Sequence, residues 1–225
     1  MFDYAIHEKY MKKIIKDIFS HEIGKSLWFK GGTLVYLVHH LDRFSTDVDL
    51  DLLDSKQEQE VIETMRNILP IHGEIKNKTL GKTIHRRILR YDEKSMNIKI
   101  ELNKRVWTNN TYEPQYIDGI AIQCMTPDCI FANKLVALSE RWYPRDLYDV
   151  YFFFCKNFSI NEMLITERTW LSLKDFFHKL NKDLPIHFTE TNILIGLGEV
   201  LTDQQKIWSK ANLLKEVQQI LNAFA

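Results

Sequence analysis

The sequence contains little cysteine and no long apolar segment. Its three cysteines, among 225 residues, form no Cys-x-x-Cys pair and share no zinc-ligand spacing with histidine, which excludes a disulfide scaffold and a cysteine-based zinc site. We therefore expect reduced thiols in a cytoplasmic protein. The longest apolar run, residues 150–155, is far shorter than the roughly 18 residues of a membrane span. The N-terminal residues do not show a basic start followed by an apolar stretch, so we expect no secretory signal. The prediction is a soluble protein without membrane contact.

The chain also lacks an excess of either charge. Thirty Lys and Arg residues balance thirty Asp and Glu residues, so no overall field draws the protein to nucleic acid or membrane. A bound polyanion must meet a local basic cluster, and one stretch offers five such side chains: Lys82, His85, Arg86, Arg87 and Arg90. That cluster indicates either contact with an RNA backbone or basic residues on a solvated strand. The eight histidines form no paired ligand set, so we assign none of them to a metal.

The first third of the chain mixes helix and strand patterns. A composition of 45% hydrophobic and 27% charged residues is typical of a folded domain, and no repeats and no linker rich in Pro, Gly or Ser are visible. Apolar spacings of three and four predict helices over 4–19, 34–40 and 56–69. A short apolar stretch and a strict alternation predict strands over 26–30 and 46–52.

Strand patterns continue and then give way to helices. Antiparallel strands are predicted between residues 73 and 102, the best-defined strand lies at 97–103, and a further strand is predicted at 117–123. From Pro127, which suits the first turn of a helix, the chain is helical, and a second helix begins at Arg145.

The last part of the chain carries helical patterns, for example over 170–180 and 211–223. We expect residues 183–185 and the glycines 196 and 198 to interrupt these helices. The C-terminal part is therefore predicted to be a helical bundle.

Two separate segments indicate chemistry when they are taken together. Paired glycines in the segment 31–33 precede a predicted helix, where backbone N–H groups can approach a phosphate and the helix N-terminus adds partial positive charge. Asp47, Asp49 and Asp51 share one strand face, and carboxylates at i and i+2 can bridge divalent cations. Alone, each segment has a plain interpretation as a tight turn or a solvated strand face. Together they resemble the signature of polymerase-beta-like nucleotidyltransferases.

Four motifs follow one another between residues 30 and 149. They comprise Lys30–Leu34 with Arg43–Leu50, then Ile98–Glu101, then Ala132–Leu138 with Arg141, and finally Arg145–Asp149. In this order they resemble the motifs of the AbiEii/AbiGii toxin family of nucleotidyltransferases, over about half of the chain.

The resemblance implies a toxin of a toxin–antitoxin or phage-abortive system that transfers a nucleotide from an NTP, with magnesium or manganese as cofactor. It implies an α+β fold, in which a nucleotidyltransferase core with a mixed β-sheet flanked by helices spans residues 1–123. A helical bundle at 124–225 would complete the active-site cleft. Carried over position by position, the triphosphate would be held by Gly31, Gly32 and Thr33. Metal would be bound by Asp47 and Asp49. Lys134 would bind the triphosphate, and Asp146 would orient that lysine.

Several of these residues keep a structural alternative. Glu101 would be a third carboxylate, acting as general base or metal ligand, but Lys99 on the same strand face makes a plain ion pair an equal alternative. Lys134 is otherwise a solvated helix lysine, and Asp146 is otherwise an acid favoured by the helix dipole. Arg43 is expected to have a structural role.

The function predicted from these motifs is transfer of an NMP from an NTP to an acceptor hydroxyl, with tRNA favoured and pyrophosphate released. One alternative is a small-molecule nucleotidyltransferase of the antibiotic-modifying kind. Another is a catalytically silent NTP-binding regulator, although the complete acid pair Asp47 and Asp49 argues against it. A cognate antitoxin is implied by the resemblance alone.

Overall fold

The computed structural model describes residues 3–93 and 96–224, and they separate into two compact units. The first unit comprises the chain up to His40 together with Phe44–Val106 and Thr111–Met125. The second comprises Leu41–Arg43, Trp107–Asn110 and the chain from Thr126 onward. The assignment of a catalytic core to residues 1–123 and of a cleft-completing part to residues 124–225 stays a prediction.

A mixed sheet, seven-stranded over the described residues, forms the centre of the first unit. Its strands are β1 (Leu27–Lys30), β2 (Asp47–Leu52), β3 (Glu74–Leu80), β4 (Ile84–Arg90), β5 (Ile98–Asn103), β6 (Tyr112–Ile117) and β7 (Ile120–Met125). Their order in the sheet is β3-β4-β5-β2-β1-β7-β6. β2 is parallel to β5 and β1 is parallel to β7, whereas the other neighbours are antiparallel. The predicted mixed sheet is thereby confirmed.

Three helices flank this sheet: α1 (Tyr4–Ser20), α2 (Gly31–His39) and α3 (Glu58–Ile68). The apolar face of α1 is fully buried at Met11, Ile14, Ile15 and Ile18, and α1 contacts β2 and β7. Each of these side chains contributes roughly 1.5–3 kcal/mol through burial. The same alternation that buries Val48 and Leu50 on β2 turns the aspartates of that strand to the opposite face of the sheet.

The second unit is helical. Its helices are α4 (Pro127–Arg141), α5 (Pro144–Cys155), α6 (Glu162–Thr169), α7 (Leu173–His187), α8 (Asp203–Trp208) and α9 (Leu214–Phe224), with a π-helical turn at Ser209–Leu213 between the last two. The aromatic run of α5 lies mostly in the core, where the rings of Phe131 and Phe153 stack with centroids 5.0 Å apart.

Three predicted elements are wrong in detail. The single strand predicted at 117–123 is a hairpin, because Asp118 and Gly119 adopt left-handed conformations, with φ of 47° and 81°, that reverse the chain between β6 and β7. Residues 183–185 do not interrupt the helix, because Pro185 lies inside the last turns of α7. The helix predicted from residue 170 begins at Leu173, because Trp170 ends α6 in a left-handed conformation.

No helix in the described part of the chain has the length and apolar character to cross a bilayer.

Candidate active site

Asp47 and Asp49 project from one face of β2, beside the parallel strand β5. The register pairs Asp47 with Lys99 and Asp49 with Glu101. Lys99 Nζ lies 3.0 Å from Asp47 Oδ2 and 3.6 Å from Glu101 Oε1. The structure therefore brings the three predicted carboxylates onto one face of two neighbouring strands, where a lysine ammonium contacts two of them.

Asp49 is the carboxylate with the least favourable surroundings. Burial raises the pKa of Asp49 to about 6, and the negative charges of Asp47 and Glu101 act in the same direction. The ammonium groups of Lys99 and Lys30 oppose this effect only in part. The site consequently carries negative charge that these lysines do not fully compensate, and a bound cation would relieve it.

Glu101 is held in ion pairs. Arg86 Nε donates a hydrogen bond of 2.6 Å to Glu101 Oε1, in addition to the Lys99 contact at 3.6 Å. The ion-pair alternative weighed from the sequence is therefore present in the structure. A role for Glu101 as general base or metal ligand stays a prediction.

Gly31 opens α2 directly against the acids. Its φ of 81° is left-handed, and a Cβ added at this position would overlap the Asp49 carboxyl group. Only glycine combines that conformation with so close an approach. The backbone at the start of α2 therefore lies against the Asp49 carboxylate, as the predicted glycine–acid constellation requires.

Thr33 joins α2 to β2 through its side chain. The hydroxyl contacts Ser45 Oγ at 2.9 Å and donates to the Asp47 carbonyl oxygen, and the residue is fully buried, as is its neighbour Gly32. This side chain is engaged within the protein and positions the start of β2. The predicted contact of Gly31, Gly32 and Thr33 with a triphosphate stays a prediction that rests on their backbone.

Asp51, the third aspartate of β2, is fully buried and has different partners. Lys30 Nζ lies 2.5 Å from Asp51 Oδ1 in a charge contact without hydrogen-bond alignment, and the Tyr112 hydroxyl donates to Oδ2 at 2.8 Å. These contacts fix Asp51 in the interior and hold the Lys30 ammonium beside the acid face. Asp51 is therefore a structural residue of the site.

A second charged cluster lies on α4 and α5, within the helical unit. Lys134 Nζ contacts Asp149 Oδ2 at 2.6 Å and Asp146 Oδ1 at 3.1 Å. Arg43 binds both carboxylate oxygens of Asp149, with distances of 2.6 and 2.7 Å, and Arg141 binds both oxygens of Asp146, at 2.7 and 2.9 Å. We call these five residues the α4–α5 ion network. Arg43 and Arg141 thus each pair with one acid of α5.

The α4–α5 ion network keeps Lys134 charged. Burial opposes the charge, but the carboxylates of Asp149 and Asp146 raise the pKa of Lys134 above its usual value. The pKa of Asp146 is lowered although burial opposes the lowering, because Lys134 and Arg141 stabilise the ionised form. Lys134 is therefore suited to attract phosphate as a fixed cation and unsuited to act as a base.

A divalent cation fits Asp47 and Asp49. No three His, Cys, Asp or Glu side chains converge to hold a metal anywhere in residues 3–93 and 96–224. Carboxylate oxygens nevertheless are the donors that Mg²⁺ and Mn²⁺ prefer. The Lys99 ammonium against Asp47 and the raised pKa of Asp49 both indicate a place for positive charge. Glu101 fits less well because Arg86 already occupies it.

The basic stretch 82–90 does not form one cationic surface. Alternation along β4 sends Arg86 to the acid face, whereas His85 and Arg87 are buried on the other face. His85 contacts Glu58 at 2.6 Å, and Arg90 binds Glu74 at 2.9 Å. The segment therefore matches neither of the two interpretations from the sequence, a continuous RNA-binding surface or a fully solvated strand.

Sequence reasoning missed two residues that the structure brings to these clusters. Asp149 contacts Lys134 more closely than Asp146 does, and the i, i+3 spacing of the two acids on one helix face was a usable signal. Lys30 immediately precedes the glycines, and its position opposite Asp49 follows from the antiparallel pairing of β1 and β2, which no local pattern shows.

Two solved structures share this fold. Helicobacter pylori JHP933 superposes with a TM-score of 0.55 and 21% identity, over 99% of this chain and 96% of that one. A candidate nucleotidyltransferase from Helicobacter pylori superposes with a TM-score of 0.58 and 21% identity, over 98% and 97% of the two chains. No curated protein matches the sequence. At 21% identity these likenesses show the fold, a mixed sheet with flanking helices.

The family is defined by the sequence itself. Residues 14–207, which are most of the chain, match the family described as "Nucleotidyl transferase AbiEii toxin, Type IV TA system". The chain belongs to this AbiEii family of toxin–antitoxin nucleotidyltransferases. The resemblance predicted from the four motifs is confirmed.

Proposed function

We propose that this protein transfers an NMP from an NTP to an acceptor hydroxyl, with Mg²⁺ or Mn²⁺ as cofactor. The observation that carries the proposal is the packing of Gly31 against the Asp49 carboxylate. It places the N-terminus of a nine-residue helix beside Asp49, whose charge is only partly compensated. A phosphate anion and a divalent cation are the complementary ligands of these two features.

Each residue has a role that follows from its surroundings. Asp47 and Asp49 would hold the cation, which when bound neutralises phosphate charge and polarises the reacting phosphoryl group. The backbone N–H groups at Gly31 and Gly32 receive phosphate oxygens at the start of α2. Lys134, kept as an ammonium by its two acids, would supply the further positive charge that the family resemblance assigns to it.

The reaction forms one bond and breaks one bond. The acceptor oxygen attacks the α-phosphorus in line, the bond from that phosphorus to the bridging oxygen breaks, and pyrophosphate leaves with the electron pair. The hydroxyl proton goes to solvent or to Glu101, whose pairs with Arg86 and Lys99 weaken it as a base. Catalysis then comes chiefly from positioning and from charge neutralisation.

Family membership supports the biological role. We propose a toxin that acts in the cytoplasm, that modifies RNA, with tRNA as the favoured acceptor, and that has a cognate antitoxin. The alternatives are transfer to a small-molecule acceptor and NTP binding without transfer, and the experiment below distinguishes them from transfer to RNA.

The test is transfer of label from each of four α-labelled NTPs to total tRNA in the presence of magnesium, analysed on a denaturing gel. We expect one NTP to label RNA, Asp49→Ala to abolish labelling, and Lys134→Ala to weaken it. Asp203→Ala is the matched control, because Asp203 is 92% exposed and pairs only with Lys206 among the described residues. Labelling of an aminoglycoside instead of RNA, or NTP binding without any transfer, would overturn the proposed acceptor or the proposed reaction.

A further inference from the structure

A groove of about 490 Å³ lies between α3 and the hairpin β3–β4, within the first unit. Its walls include Arg66 from α3, Lys78 from β3 and Arg87 from β4. Lys78 and Arg87 are direct cross-strand neighbours, so their side chains leave the sheet on the same face. We call this the α3–hairpin groove.

The α3–hairpin groove is separate from the acid face. Arg86 lies opposite Glu101 and binds its carboxylate on the acid face, and the next residue, Arg87, therefore points to the other face of the sheet. A ligand in the groove would not compete directly with an NTP at Asp47 and Asp49.

The groove concentrates positive charge without acids. Its lining holds Arg66, Lys76, Lys78 and Arg87 and contains no Asp or Glu. Lys76 is neutralised by Glu74 at 2.6 Å. Over residues 3–93 and 96–224, no carboxylate lies within ion-pair distance of Arg66, Lys78 or Arg87. Glu58 and Glu63 of α3 line an adjoining groove, which shares Ile62, Arg66 and Leu80 with this one.

Arg87 is the most buried cation of this groove. It is 7% exposed, and its one hydrogen bond in the described part of the chain runs from Nη2 to the Ile62 carbonyl oxygen at 3.0 Å. Burial lowers the pKa of Arg87, and the nearby positive charge of Arg66 lowers it further. A buried guanidinium with one carbonyl partner retains donors for an anion, and its fork can pair two N–H groups with two phosphate oxygens.

We propose that the α3–hairpin groove binds phosphate groups, through Arg87 at its base and Arg66 and Lys78 at its sides. Three cations match the double charge of a phosphate monoester, or the two charges of successive phosphodiesters, better than the single charge of a carboxylate. A volume of about 490 Å³ is in the range of small-molecule sites, and Ile62, Met65 and Leu80 provide an apolar floor beside the cations. The phosphate comes either from a free phosphate compound or from the backbone of RNA, and both sources share this chemistry.

The test compares Arg66→Glu/Lys78→Glu with Lys174→Glu/Lys182→Glu, which changes the net charge equally at exposed lysines of the helical unit. Binding of a fluorescent single-stranded RNA oligonucleotide is measured by anisotropy over a range of salt, and inorganic phosphate is measured by the shift in melting temperature. Arg66 and Lys78 are exposed, so both double variants should fold, and NTP binding with magnesium should be unchanged in both.

We expect the groove variant, and not the control, to lose about tenfold or more in RNA affinity, with a salt slope smaller by about two. Loss of the phosphate-induced stabilisation alone would assign the groove to free phosphate compounds. Equal binding by both variants in both measurements would overturn the proposal. Displacement by polyglutamate with no response to phosphate or RNA would overturn it as well, in favour of an acidic protein segment.

Discussion

Three aspartates on one face of β2 have three different environments. Asp47 is paired with Lys99 at 3.0 Å, Asp51 is fixed by Lys30 and Tyr112 in the interior, and Asp49 lies between them with its charge only partly offset. The alternation of the strand places all three on the same side. Their partners on β1, β5 and β6 then decide which of them is free for chemistry.

We predict that Asp49→Asn stabilises the metal-free protein. The folded-state pKa of Asp49 is raised from 3.8 to about 6, so its ionised form destabilises the fold in full above about pH 6. The penalty shrinks as pH falls from 6 towards the ordinary pKa of 3.8, below which the folded and unfolded states are both protonated. The variant should gain about 1–3 kcal/mol near about pH 8, about half as much near about pH 5 and little below about pH 4, measured by urea unfolding with chelator present.

Asp51→Asn is the matched control and should have the opposite effect, a loss of about 3 kcal/mol, because it leaves the half-buried Lys30 without its charge partner. Magnesium should raise the melting temperature of the wild type and of Asp51→Asn more than that of Asp49→Asn. A destabilised Asp49→Asn protein at about pH 8 would show that the lysines compensate this carboxylate after all.

At the residue scale, sequence reasoning found the acids and the Lys99–Glu101 pair but missed the other partners. Asp47, Asp49 and Glu101 follow from alternation within two strands, which is a local property. The contact of Lys99 with Asp47 depends on the parallel register of β2 and β5, strands about 50 residues apart in sequence. The same holds for Arg86 on Glu101, which converts a candidate base into a member of an ion pair.

At the scale of elements, the strand–helix junction at Gly31 can be compared with the hairpin turn at Gly119. Both glycines have φ of 81°, but a Cβ at Gly119 would meet nothing within 4 Å, whereas a Cβ at Gly31 would overlap Asp49. We predict that Gly119→Ala costs only the backbone strain, about 1–2 kcal/mol, and retains transfer activity.

Gly31→Ala should cost more than Gly119→Ala and should abolish transfer, because the Asp49 carboxyl group must move. Urea unfolding and the labelling reaction measure the two effects on the same preparations. Equal stability and activity for both variants would mean that the close approach of α2 to β2 is dispensable.

Elements with a strong local pattern were predictable, and those defined by single turn residues were less so. α1, β2 and β5 follow from periodicity alone and lie within one or two residues of their predicted ends. The β6–β7 hairpin was predicted as one strand, although Asp118-Gly119 is a dipeptide typical of two-residue hairpin turns. At Pro185 the error is the opposite one. A break was predicted there, but α7 continues for two residues past the proline, to His187.

At the scale of the whole molecule, local patterns do not specify which segments meet. The sheet order places β5, and not β3, beside β2, and the three-residue segment Leu41–Arg43 belongs to the helical unit. Arg43 binds Asp149, which is 106 residues away in sequence. Contacts of this kind depend on the packing of the complete core, and one sequence without relatives to compare contains no direct signal for them.

For the whole molecule, we predict an effect of the protein on bacterial growth. If transfer to an essential RNA is the biological activity, induced expression of the wild type in a bacterial host should arrest growth, and Asp49→Ala should not, because the variant lacks the carboxylate proposed to hold the cation. Asp203→Ala, altered at an exposed ion pair of α8, should arrest growth as the wild type does. Immunoblots at equal induction exclude differences in protein level, and labelling of RNA extracted from the arrested cells links the arrest to the reaction. Equal growth of the wild type and Asp49→Ala at equal protein levels would remove the toxin role, while the transfer reaction measured with purified protein would stand on its own result.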